Sequence, residues 1–117
     1  MTRDFGFAMI DVTVGVNEEP DRIMGIIREL ANGMRAEEEW SAVILDDVEI
    51  WGVEKFTGNT WLLQGRMKTT ASSRWGVRRE LNRRIKHRFD EMGIDSPLTS
   101  WDARKQTPPT LVGFVEP

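Results

Sequence analysis

Apolar residues along this chain change their spacing from one segment to the next, and the order of those changes leaves few folds open. Ala8, Ile10, Val12, Val14 and Val16 alternate with Met9, Asp11, Thr13 and Gly15, the period of a strand with one buried face. Ile23, Ile26, Ile27, Leu30 and Met34 then recur at three and four, which predicts a helix from Pro20 to Met34. Pro20 suits its first turn, Glu18, Glu19 and Asp21 complement its positive end, and Gly33 marks where it ends or loosens. Alternation returns from Val48 to Phe56 and again in Trp61, Leu63, Gly65 and Met67, with Thr57, Gly58 and Asn59 as the turn of a hairpin between them. A second helix is expected from Trp75 to Met92 on the stripe Val77, Leu81, Ile85, Phe89, with Gly93 as its left-handed cap. Ser96 and Pro97 would lead into a short edge strand around Leu98 to Trp101.

Strand, helix, strand, strand, helix, strand is the split βαβ order, so the expected fold is α+β and ferredoxin-like: an antiparallel sheet with both helices on one face. With 117 residues the chain is one domain, assigned here to residues 1–104 with a tail at 105–117. Within the second strand the phase slips at Gly52: Val48 and Ile50 belong to one face, Trp51 and Val53 to the other, and a bulge is expected there. Trp75, at the entrance of the second helix, is expected to be at least partly buried.

The chemistry these residues exclude is broad. No cysteine means no disulfide, thiolate nucleophile or cysteine zinc site, and a single histidine rules out a multi-histidine metal cage. His87, between Lys86 and Arg88, reads as a solvated side chain. Glu37, Glu38, Glu39, Asp46, Asp47 and Glu49 follow no calcium-loop spacing and read as a solvated acidic segment. Gly58, Gly65 and Gly76 are too scattered for a phosphate loop. No cofactor and no enzymatic activity are expected, nor is any apolar run near the roughly 20 residues of a membrane helix or any signal peptide readable, so the expectation is a soluble piece.

Charge is distributed more tellingly than the net value of −3 suggests. Up to Thr60 there are 13 acidic residues against 5 basic; from Trp61 onward 11 basic stand against 6 acidic. Arg74, Arg78 and Arg79 occupy the positive end of the second helix and Asp90 and Glu91 its negative end, the reverse of what the helix dipole favours. Glu80 and Arg84 form one pair along the helix, and the other guanidinium groups call for acidic partners from outside it. Basic residues beside Trp61 and Trp75 raise an RNA-binding reading, but the outward residues of the third strand, Leu62, Gln64, Arg66 and Lys68, are not the aromatics such a sheet displays.

The runs Gly52-Val53-Glu54-Lys55-Phe56, Arg74-Trp75-Gly76-Val77-Arg78-Arg79-Glu80-Leu81-Asn82-Arg83-Arg84-Ile85-Lys86 and Phe89-Asp90-Glu91-Met92-Gly93-Ile94 with Pro97 resemble the C-terminal cytoplasmic domain of the small-conductance mechanosensitive channel family. The resemblance extends from about Asp11 to Pro97. It implies a homo-heptameric channel gated by membrane tension, with transmembrane helices in the bilayer and an α/β domain like this one walling a cytoplasmic vestibule that prefilters ions and solutes. Leu98-Thr99-Ser100-Trp101 departs from the family pattern, which continues there with an aromatic and a second proline. On this reading Arg74, Arg78, Arg79, Glu80, Arg83 and Arg84 on one side, and Glu37, Glu38, Glu39 and Asp46 on the other, are candidate subunit-interface or vestibule-lining residues. The partners are then further copies of the chain, the membrane part and permeating ions, with no nucleic acid, on the cytoplasmic side of the cell membrane. The alternative is a free-standing ferredoxin-like module for RNA or a small ligand; apolar segments of about 20 residues upstream of Met1 would separate the two.

Overall fold

A computed structural model describes residues 4–97. β1 (Phe5–Gly15), α1 (Pro20–Ala36), α2 (Glu38–Ser41), β2 (Glu49–Thr57), β3 (Thr60–Thr70) and α3 (Arg74–Met92) follow one another, with a 3-10 turn at Ala71–Ser73 before α3. The sheet has the order β1-β3-β2, antiparallel throughout. This is the α+β arrangement expected, with β3 inserted between the two strands that α1 connects. The expected edge strand at Leu98–Trp101 and the boundary at residue 104 lie outside the described residues. Nevertheless, the chain leaving α3 meets β1: Gly15 N–H donates to the Asp95 carbonyl at 2.6 Å, and the Ser96 hydroxyl donates to the Thr13 carbonyl at 2.7 Å.

Alternation decides which side of the sheet is covered. Ala8, Ile10, Val12 and Val14 of β1 and Trp61, Leu63 and Met67 of β3 are buried together with Ile23, Ile27 and Met34 of α1 and Val77, Leu81, Ile85 and Phe89 of α3. Both long helices therefore pack on one face. At about 1.5–3 kcal/mol for each large aliphatic or aromatic side chain taken out of water, this face supplies most of what holds the domain together. The Glu19 carboxylate caps α1 by accepting from Asp21 N–H at 2.7 Å, and Gly93, at φ 66°, closes α3. Helix α1 runs through Gly33 to Ala36 because nothing stops its last turn until Glu37 turns extended.

Several expectations are corrected. β1 begins at Phe5, not Ala8, since its alternation continues upstream through Phe7, and it ends at Gly15. The acidic stretch after Glu37 forms the short α2 before Ile44 bridges Thr69. In β2 the register shifts twice, between Ile50 and Gly52 and between Val53 and Lys55. Gly52, at φ 113°, absorbs the first shift, so Val53 returns to the core side with Ile50 while Trp51 stays out, the opposite of the pairing of Trp51 with Val53. Trp75 is 52% exposed, so its expected contact with the core is only half met; a loss of about 1 kcal/mol on truncation replaces the 3 kcal/mol or more of an enclosed indole.

Gly65 lies at the closest approach of β3 and β2. A Cβ there would overlap the Glu49 carbonyl oxygen and meet Ile50 Cα at 3.0 Å, both backbone atoms that cannot rotate aside. Gly65→Ala is expected to lower stability by about 1–3 kcal/mol in urea unfolding, by prising apart the two strands.

Candidate functional site

No group of three or more His, Asp and Glu placed to hold a metal ion occurs among the described residues, nor a helix long and apolar enough to cross a membrane. The densest chemistry is charged, and it lies along α3. Residues on a helix are set about 100° apart, so the basic run is spread around the cylinder. Glu80, Arg84 and Arg88 occupy the flank toward α1; Arg78, Trp75 and Arg79 lie about 100–160° away from Glu80, on the far flank.

On the near flank the charges are matched within the chain. Arg84 makes two hydrogen bonds to Glu37, at 2.7 and 2.8 Å, and a third to Glu80 at 2.7 Å. Arg83 also grips Glu80 through two bonds, at 2.9 and 2.7 Å. Arg88 reaches Glu29 on α1 at 3.2 Å and Glu91 on its own helix, while Lys86, which lies beside Arg79 in angle and not on this flank, pairs with Asp90. Hydrogen bonds from Arg83 and then Arg84 hold the Glu80 carboxyl at about 2, and Arg84 lowers Glu37 in the same way. A groove of about 310 Å³ between α1 and α3, lined by Leu30, Arg83, Arg84, His87, Arg88 and Glu91, is therefore edged by arginines already engaged with carboxylates.

The far flank differs. Arg74 donates to the Ala71 carbonyl at 3.1 Å and stacks on Trp75 at 5.0 Å. Arg78 and Arg79 make no ion pair among the described residues, and neither do Glu38 and Glu39; Asp46 only accepts from the Asp47 backbone. Of the expected site residues, Glu37, Glu80, Arg83 and Arg84 are thus brought together, whereas Arg74, Arg78 and Arg79 stand apart from Glu38, Glu39 and Asp46. The two unpaired sets lie on different sides, since α2 follows directly on α1 and Glu37 fixes that junction to the near flank.

The open face of the sheet carries a feature that the sequence reading missed. Arg66 lies 3.8 Å above the Phe7 ring, 5.7 Å from Trp51 and 3.2 Å from Glu49, while Lys68 sits 4.3 Å from the Phe5 ring. Phe5 and Phe7 meet edge to face at 5.8 Å. Aromatics do occupy this face, on β1 and β2 instead of β3, but each lies against a cation of the chain itself. The signal was present in Phe5-x-Phe7-x-Met9, which extends the first strand's alternation on its polar side.

Because the folded-state pKa of Glu80 lies below its usual 4.5, its contribution to stability is present above that value and is lost as pH falls toward 2. Glu80→Gln is expected to cost about 1–2 kcal/mol at pH 7, a figure reduced for solvent screening, and this gap from the parent chain should close between about pH 5 and pH 2 in unfolding measured across that range.

Among known families, the description "Mechanosensitive ion channel MscS, C-terminal" matches residues 8–96, from the middle of β1 to the segment that returns to it. No curated protein matches the chain.

Proposed function

The chain belongs to the mechanosensitive ion channel MscS C-terminal family, and from that premise we propose that it forms one segment of the wall of a channel's cytoplasmic vestibule. In this reading several copies, seven by the family resemblance, ring a central axis beneath the membrane part, and the enclosed chamber prefilters ions and solutes before they reach a pore opened by tension during osmotic stress. The family match carries the proposal, since it runs through each described sheet strand and both described long helices. The division into a vestibule domain at 1–104 and a separate tail at 105–117 belongs to the same proposal.

In a closed ring each copy meets the next through two unlike surfaces. The near flank of α3 is already neutralised by Glu37, Glu80, Glu29 and Glu91, so Arg83 and Arg84 serve the fold of one copy. Arg74, Arg78 and Arg79 remain as the basic side of the contact, and Glu38, Glu39 and Asp46 of the next copy as the acidic side. Each exposed pair contributes about 0–1 kcal/mol and weakens with salt, so the ring depends on their number.

In the full-length channel, reversal of Arg78 and Arg79 to Glu is expected to reduce assembly, and reversal of Glu38 and Glu39 to Lys in the same chain to restore it. Light scattering in detergent at low and high salt measures both, and survival of cells after sudden dilution reports whether the assembled channel works. Assembly indifferent to the reversals and to salt would overturn the charge contact.

A further inference from the structure

Resting on the ring reading above, the structure points to more than charge at that contact. We propose that Trp75 is its apolar anchor and packs on Leu45 and Ala42 in the acidic segment of a second copy of this chain. A tryptophan that opens a helix on an aqueous surface leaves half of a large apolar ring in water, and here it is 52% exposed. Its surroundings are those of an interface centre: Arg74 stacks on one side of the indole at 5.0 Å, while Arg78 and Arg79, one turn further along the helix, have no carboxylate among the described residues. Tryptophan and arginine together are the residues that most often dominate binding energy at the centre of a contact.

The acidic segment offers the complement. Leu45 is 38% exposed and Ala42 is exposed, and they lie within the stretch that carries Glu38, Glu39 and Asp46. This stretch is held rigidly: Val43 and Ile44 N–H groups donate to the Trp40 carbonyl, Leu45 N–H donates to Lys68 at 2.8 Å, and Thr70 N–H donates to Val43 at 2.9 Å. Exposed apolar residues and unpaired carboxylates thus share one stretch on the α1 side of the molecule, where residues 43–45 border the edge of β3 and Ile44 is the residue turned into the core. An aromatic centre with a positive rim stands on the flank of α3 turned away from α1. Two complementary patches on opposite flanks are what a head-to-tail contact between identical copies requires, because neither can be satisfied within its own chain.

The test uses the full-length channel. Trp75→Ala is expected to weaken subunit association about 30-fold or more, read by light scattering on dilution, with Trp75→Phe keeping most of it. The melting temperature of the isolated chain should fall by only about 4–8 °C, the shift that follows from the buried half of the indole. Since this chain has no cysteine, Trp75→Cys combined with Leu45→Cys, with any cysteine elsewhere in the channel removed, should give a ladder of disulfide-linked subunits on oxidation, whereas either cysteine alone should not. An assembled channel that neither loses affinity on Trp75→Ala nor forms the ladder would overturn the anchor and leave the ring standing. A full-length protein that is itself monomeric would overturn both.

Discussion

β3 is the element on which the other parts bear, because among the described strands it is the one with a strand paired along each edge. β1 lies on one side, and β2 and then the 43–45 segment on the other. Its alternation sends Trp61, Leu63, Met67 and Thr69 under the helices and Leu62, Gln64, Arg66 and Lys68 to the open face. Only glycine at residue 65 lets β2 approach closely enough to complete this arrangement. Trp61, 1% exposed, contributes the largest buried side chain, at the cost of an indole N–H with no hydrogen-bond partner. That orphan costs about 1–3 kcal/mol, which burial of so large a ring offsets.

The helical layer is fastened differently on its two flanks. Arg84 spans from α3 to Glu37, 47 positions earlier, and shares Glu80 with Arg83. A bidentate arginine fixes orientation as well as distance, so this cluster sets how α1 and α3 lie beside each other. The same cluster removes four charged residues from the set free to meet another molecule. What is left for neighbours is therefore defined by what the fold has already used.

The elements were legible in the sequence because their periods are local. Ala8 to Val14, Ile23 to Met34 and Val77 to Phe89 each declare one buried face in the order of their own residues. Gly52 also announced the slip in β2, but not its outcome: an extra residue in a strand reverses the inside-outside pattern beyond it, so Val53 and not Trp51 joined Ile50. Pairings between distant positions were not legible. The Glu80–Arg84 pair was legible from its spacing along the helix, but the reach of Arg84 to Glu37 was not, because that carboxylate at the end of α1 comes beside α3 only once the helices are packed. The cation and aromatic pairs of the open face depend likewise on strand register, which places Met9 opposite Arg66 and Phe7 opposite Lys68.

The two irregularities in β2 have a consequence for crowding. A regular exposed strand edge is a template on which another chain can build, and identical domains held side by side would meet that hazard constantly. Shifts at Ile50/Gly52 and Val53/Lys55 break the ladder spacing along this edge, and charged Glu54 and Lys55 stand at the second break. Growth of the sheet is thereby discouraged on the β2 side, while on the β1 side the Gly15 N–H and the Thr13 carbonyl are taken by Asp95 and Ser96. Copies of such a domain can be packed closely through the side chains of their helical flanks without their sheets fusing.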